Sequence, residues 1–474
     1  MKTGARAGRA QRRQVLVTAS CLVLVAGLAT AAVGQGAFFA AVQRRAAIVV
    51  LAAVVLALAA YPFRRADLRW GFILAGLSLA MWALVRAAAV GTLAGGFTWA
   101  LFGAGAAAVF IVCRRLDASS REMLLNGLFA VAILVAATGW LGVAFHHRSW
   151  ALPSAGLWRA ASTLTYANAT AAFLVPLTLV VLSRLTASPG SMRLSLTATG
   201  LLCGAGATLS RAGAIAFAVG FVVICALQGT RNVVRVAAGP VVGAAVALLG
   251  LIPSVPVTAR PEPAVALAAL GTGLGIAALT RRFPRGAVAI PVAILAAGGA
   301  LAVAVIVING APSGSGAIRS LATSRLSLAS PSRSGETAAA IRVIEQHPLA
   351  GVGPGRATLR WTGADGGLRV DRYDHDEYLQ VLTDLGVIGA ALLAVLLAAA
   401  IRGLWQGRLN LPGRATWAGV VAATAALAVH SAFDFIWHIP AIPLTAAALV
   451  GCAVPSITRP GELQPSAIER KEEL

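Results

Sequence analysis

Apolar runs of about 17 to 25 residues recur along the chain, separated by short polar segments, and that is the length a helix needs to cross the hydrocarbon core of a bilayer. They fall near 15–41, 46–62, 70–88, 97–113, 122–145, 163–183, 194–210, 212–228, 234–252, 263–280, 287–309, 378–401, 415–433 and 436–454. One interruption differs from the rest. From 310 to 377 the chain leaves the apolar pattern for a long polar loop, and it re-enters through Tyr373-Asp374-His375-Asp376-Glu377-Tyr378. The pattern predicts an all-α fold: a polytopic transmembrane helix bundle of about 12–14 spans with one large external loop containing short helices. The expected divisions are a cytoplasmic tail over 1–14, a bundle over 15–309, the loop over 310–377, further spans over 378–454 and a cytoplasmic tail over 455–474. The first run reads as an uncleaved span, with Ala29-Thr30-Ala31 as the alternative cleavage site.

Composition sharpens this picture. With 58% hydrophobic and 12% charged residues and a mean hydropathy of +0.81, the chain carries more apolar surface than a soluble core can hide. The net charge of +22 does not mark a nucleic-acid face, because Lys and Arg come in small clusters between apolar runs. Placing the N-terminus in the cytoplasm puts Arg64, Arg65, Arg69, Arg114, Arg115, Arg121, Arg281, Arg282, Arg402 and Arg408 on the inside. Arg44 and Arg45 dissent and question whether the first hairpin crosses fully. The consequence is geometric: Arg148, Arg159, Arg211, the long loop and the stretch from His430 to Asp434 share the external compartment.

Within the loop, residues 335–347 read as a short helix with Ala340, Ile341 and Ile344 on one face and Arg342, Glu345 and Gln346 on the other. His347-Pro348 stops it, and Gly351-Val352-Gly353-Pro354-Gly355 turns the backbone. That turn is no nucleotide-binding loop, since no Lys-Ser or Lys-Thr follows it. The five cysteines lack metal-ligand spacing. Neither a metal nor a cofactor is expected.

Several local patterns then line up: Tyr166-Ala167-Asn168-Ala169-Thr170 opening a span, Leu209-Ser210-Arg211-Ala212-Gly213 at an external hairpin, and Arg333 fifteen residues before Pro348. His375-Asp376-Glu377-Tyr378-Leu379-Gln380 and Leu385-Gly386-Val387-Ile388-Gly389 follow. In this order, over roughly residues 155 to 455, the chain resembles the O-antigen ligase and polymerase superfamily of membrane glycosyltransferases. The resemblance implies transfer of a glycan from a polyprenyl-diphosphate carrier to a lipid, glycan or protein acceptor outside the cytoplasmic membrane, without metal or nucleotide sugar. It matches the family's Ser-Arg arginine to Arg211, the arginine ahead of the loop helix to Arg333 and the loop histidine to His375. Two positions depart from the family. Thr337 stands where an aromatic residue is usual, and Asp376 follows His375 where Asn is common; both leave the motif class intact and bear on the acceptor.

The residue chemistry is compatible with that expectation. A lipid diphosphate is an anionic leaving group at the water–lipid boundary, and an arginine fork binds its oxygens in pairs without losing its proton. Arg211 fits that task or that of a snorkelling interfacial arginine. Arg333 fits it or is a solvated loop charge, and Arg159 adds to the anion site or anchors the interface. A neutral imidazole at His375 can take the acceptor's proton near neutral pH. Asp374, Asp376 and Glu377 can orient it, raise its basicity, or cap the helix that follows. Tyr166 and Asn168 fit packing or a pocket, and His430 and Asp434, one turn apart, face one cavity or bond each other. Rival readings are a repeat-unit polymerase, a protein O-oligosaccharyltransferase, a scaffolding membrane protein, and a transporter or flippase. The last predicts carboxylates near mid-membrane, and the first ten spans carry essentially none.

Overall fold

The computed structural model describes residues 2–68, 71–280, 331–363, 366–409 and 413–457. Its helices are α1 (Lys2–Val33), α2 (Ala40–Ala60), the short α3 (Arg65–Leu68), α4 (Phe72–Val90), α5 (Leu93–Arg115), α6 (Ala118–Ala144), α7 (Ala167–Ala187), α8 (Met192–Ala207), α9 (Arg211–Gln228), α10 (Thr230–Leu251) and α11 (Pro263–Leu279). The loop and C-terminal region add α12 (Pro331–Gln346), α13 (Glu377–Gly407), α14 (Arg414–Ser431) and α15 (Ala441–Ala453). Two antiparallel hairpins complete it, β1 (Ala151–Ser154) with β2 (Leu157–Ala160) and β3 (Leu359–Thr362) with β4 (Leu368–Asp371).

The fold is an all-α polytopic helix bundle. Every expected span on described residues coincides with a helix; the one near 287–309 lies outside them, as do the tail from 458 onward and the loop from 310 to 330. Among the described residues nine helices are long and apolar enough to cross a membrane, while α11 and α15 are shorter. The expected first run ends early, at Val33, because the chain turns at Gly34 to Ala37 before α2 begins. Helix α1 extends back through the basic segment to Lys2. Helix α2, with Arg44 and Arg45 near its start, has the length of a crossing.

Small residues set the helix spacing. A Cβ on Gly103 would run into the Gly76 carbonyl, and one on Gly243 into that of Gly273, so α4 meets α5 and α10 meets α11 at backbone distance. At the centre stands α7, the most enclosed of the long helices, packed against α6, α8, α9 and α14.

The bundle has two chemically distinct ends. At one, Arg115 pairs with Asp67 at 2.8 Å and bonds the Tyr61 carbonyl, Arg121 bonds the carbonyls of Cys452 and Val454, and Arg184 pairs with Glu122. The other end holds the starts of α7, α9 and α13 and the ends of α8 and α14. Chain direction therefore places Arg211, at the start of α9, and His375, two residues before α13, at the same end.

Candidate active site

At that second end the turns into α7 and α9 carry non-glycine residues in the left-handed region, Thr165 at φ 58° and Leu209 at φ 50°. Such a backbone costs about 1–3 kcal/mol per residue and needs outside support. Arg159, on β2, supplies part of it: its Nε donates to the Thr208 carbonyl at 2.9 Å, just before Leu209. The other arm of the same fork donates to Asn168 Oδ1 at 2.7 Å, in the first turn of α7. One side chain thus joins the α8–α9 turn to α7.

Asn168 continues the chain of contacts. Its amide donates to the Tyr166 hydroxyl at 3.1 Å and to Asp434 Oδ2, and the Tyr166 hydroxyl lies 2.9 and 2.7 Å from the two Asp434 oxygens. Asp434 is fully buried, so these donors replace the water its carboxylate would otherwise require. The next residue, Phe435, stacks with Tyr166 at 5.4 Å and with Tyr373 at 5.1 Å, and the His375 ring stands edge-on to it at 5.4 Å. The expected pocket residues Arg159, Tyr166, Asn168 and Asp434 therefore form one connected group beside the loop histidine.

His375 itself is held from α12. Glu336 Oε1 lies 2.7 Å from His375 Nδ1 and accepts the His375 backbone N–H at 3.0 Å. The Glu336 side chain is 5% exposed and the imidazole 28%. Burial by itself lowers the His375 pKa, but the bond to Glu336 and the charges of Asp434 and Glu336 outweigh it against the opposing Arg333, leaving it raised above 6.5. Asp434 and Arg333 also lie within electrostatic reach of His430. Arg333 and Asp434 thus act electrostatically on both His375 and His430, although the four come from separate elements.

The glycine turn after α12 docks α12 and β3–β4 onto the bundle by backbone bonding. Helix α13 breaks at Gly386 (φ 67°, ψ −168°), which frees the carbonyls of Thr383 and Asp384. The amides of Val352 and Gly353 bond those two carbonyls at 2.9 and 3.0 Å, and Val387 N donates to the Pro348 carbonyl at 2.9 Å. Arg86 binds the Ala350 and Gly351 carbonyls, both at 2.9 Å. Gly351, Gly353 and Gly355 all have positive φ. A side chain at Gly351 would collide with the Asp384 carbonyl group, so the turn's glycine content follows from close approach.

Several expectations are revised. Glu336, absent from the reading of the sequence, orients His375; the neighbouring carboxylates do not. Asp376 caps α13 through the Tyr378 and Leu379 amides at 2.9 and 3.3 Å. Its pKa is raised by burial, against those amide bonds. Glu377 is fully buried and faces the next turn, accepting from the Trp437 and His438 amides, with His438 Nδ1 3.3 Å from its carboxylate. The expected substrate contact at Glu377 gives way here to bonds within the protein, at the turn before α15. Beyond it, His438 Nε2 lies 3.8 Å from Asp384, which also accepts from Trp99 Nε1 at 3.0 Å. His430 and Asp434 do not bond each other: both His430 ring nitrogens are buried with no hydrogen-bond partner among the described residues. In α12 the packed face runs through Glu336, Ala339, Ala340 and Val343 against Leu359 and Trp361, leaving Ile341 44% exposed. Arg211 is the first residue of α9, behind the Ser210 cap and three residues beyond the carbonyl that Arg159 holds.

Asp374 is buried with Oδ2 lacking a hydrogen-bond partner among the described residues, and burial, with the charges of Glu336 and Asp376, pushes its pKa up to about 7. Glu336, Asp371 and His375 bring ligand-type atoms within 4.8 Å of one another, the grouping nearest to a cation site among the described residues. Glu336 Oε1 is already committed to two His375 donors, and Asp371 Oδ1 accepts the Arg372 amide at 2.7 Å. The donor set fits internal hydrogen bonding. The sequence signal for Glu336 was its spacing: three residues after Arg333, it lies on the same side of a helix.

Residues 263–394 match the family model described as O-Antigen ligase. No curated protein matches the chain. The matched stretch contains Arg333, Glu336, His375 and the α13 break, whereas Arg159, Tyr166, Asn168, Arg211, His430 and Asp434 lie outside it. Together with the apolar helices, the match supports an O-antigen ligase-family membrane enzyme.

Proposed function

We propose that this protein transfers a glycan from a polyprenyl-diphosphate carrier to an acceptor hydroxyl at the external face of the cytoplasmic membrane. The observation that carries the reading is the His375 imidazole, paired with a buried carboxylate and facing Asp434 and Arg333. In the proposed step the acceptor oxygen bonds to the anomeric carbon as the bond from that carbon to the diphosphate oxygen breaks. The hydroxyl proton passes to the free His375 nitrogen. The diphosphate leaves with the bonding electron pair, its charge held by Arg211 and Arg333.

Arg159 has a supporting part in this scheme. Its Nε and one terminal nitrogen are engaged with the protein, at Thr208 and Asn168, so its first task is shaping the turn that presents Arg211. His430, buried within electrostatic reach of Asp434 and Arg333 and with no hydrogen-bond partner for either ring nitrogen among the described residues, is suited to a polar group of the substrate.

The test is reconstitution of the purified protein in lipid with a polyprenyl-diphosphate-linked oligosaccharide and candidate acceptors, reading glycan transfer by mass spectrometry. Arg211→Ala, Arg333→Ala and His375→Ala should each abolish most transfer. Undiminished transfer by His375→Ala would remove the imidazole from the mechanism. Transfer onto the non-reducing end of a second carrier-linked glycan would instead identify a polymerase.

A further inference from the structure

We infer that Glu336 is a positioning residue that fixes the tautomer of His375, leaving Nε2 as the unprotonated nitrogen available to the acceptor. This rests on the proposed transfer reaction. An ionised carboxylate can only accept hydrogen bonds, so the 2.7 Å contact from Glu336 Oε1 requires the proton on Nδ1. The same oxygen takes the His375 backbone N–H at 3.0 Å, which fixes the main chain as well as the ring. With Nδ1 protonated, the basic site of the neutral imidazole is Nε2.

The carboxylate is mounted rigidly. Ala339 and Ala340 are buried on α12, and with Val343 they pack against Leu359 and Trp361 of β3. A side chain at Gly335 would meet the Trp361 ring, so the residue beside Glu336 is itself pressed onto the hairpin. At its far end α12 leads into the glycine turn that bonds to the break in α13. Glu336 reaches His375 because α12, the hairpin and α13 are docked as one unit.

Other charged groups face the imidazole from each neighbouring element. Arg333 comes from α12, Asp434 from the turn after α14, Asp371 from the end of β4, and Asp374 from its own segment, where Asp376 turns instead to the α13 amides; Phe435 and Tyr373 supply the apolar side. Glu336 alone among the described residues bonds the ring. The others tune the charge of the imidazole, and only Glu336 can choose its tautomer.

The experiment uses the full chain in lipid nanodiscs with ¹⁵N-labelled histidine, the His375 signals being assigned by their loss in His375→Gln. Above its pKa, wild-type His375 should show a protonated Nδ1 and an unprotonated Nε2; Glu336→Gln should show mixed tautomers and titrate at lower pH. In the transfer assay Glu336→Gln should lower turnover about 10²-fold, hold the donor KM within about twofold, and move the acid limb of the pH–rate profile down. Glu336→Asp, which keeps the charge but shortens the reach, should recover part of the rate. A purely structural role predicts loss of folded protein with the profile unmoved. Protonated Nε2 in the wild type, or a wild-type rate and profile in Glu336→Gln, would overturn the inference. Correct tautomer without any glycan transfer would overturn the functional reading and leave the Glu336–His375 pairing standing.

Discussion

The Tyr166 hydroxyl lies 2.9 and 2.7 Å from the two carboxylate oxygens of Asp434, a residue 268 positions further along the chain. This contact ties the entry of α7 to the exit of α14, beside the loop histidine. Asp434 is the hub of the group, since Asn168 donates to it as well and Arg159 holds Asn168.

Asp434→Ala should therefore cost more than Tyr166→Phe. It takes the acceptor from three donors, the Tyr166 hydroxyl, the Asn168 amide and the Phe435 N–H, at about 1–3 kcal/mol for each left unsatisfied, while Tyr166→Phe removes one hydrogen bond at about 1 kcal/mol. Unfolding of both single variants and the double variant in detergent measures the coupling. Additive losses would mean that the two side chains do not depend on each other.

Transfer should increase with pH. The proposed base works as neutral imidazole, and its folded pKa lies above 6.5, so the rate should fall as pH drops through a midpoint higher than that of an ordinary histidine. Turnover measured from pH 5 to 9 gives the midpoint, and one below 6.5 would contradict the assignment.

The docked loop should loosen in mild alkali. The raised His375 pKa contributes stability that is complete below 6.5 and lost as pH rises through its folded value. Asp374 acts in the same direction: its carboxyl, raised from 3.8 to about 7, favours the folded state when protonated and loses that contribution as pH rises across this window. Limited proteolysis between 350 and 376 should accelerate from pH 5 to 9, and Asp374→Asn should blunt the part of the change below about pH 7.

Charge alone should not replace the arginine at Arg211. Lysine keeps the cation but lacks the planar fork, so Arg211→Lys should recover only a minor part of the transfer lost in Arg211→Ala, with a raised donor KM. Full recovery by lysine would reduce the role to a point charge.

Gly386→Ala should undock the loop. Gly386 lies at φ 67°, ψ −168°, a region open essentially to glycine alone, and an added Cβ would strike the Leu349 carbonyl. Gly366→Ala is the control, with a positive φ of 74° but no atom within 4 Å of the added carbon. Strain alone costs about 1–3 kcal/mol. The Gly386 variant should exceed that range and expose the 348–355 turn to protease, while the control should not.

The linear order of residues determined the membrane-spanning character of this protein, the place of its long loop and its basic and imidazole candidates. Those features are local: bilayer thickness sets a run length, and a helix period or a charged cluster is complete within a few dozen residues. Tertiary structure decided which polar groups are partners. Nothing near Glu336 announces that His375, 39 residues on, will share its oxygen, and of the three carboxylates closest to His375 in sequence Asp376 caps α13 and Glu377 bonds the turn before α15 instead of the ring. Burial is the reason. Once α12 and α13 are packed, a carboxylate or amide without a partner forfeits its hydration, so the bonds formed across 39 and 268 residues are selected by the enclosure that the fold creates.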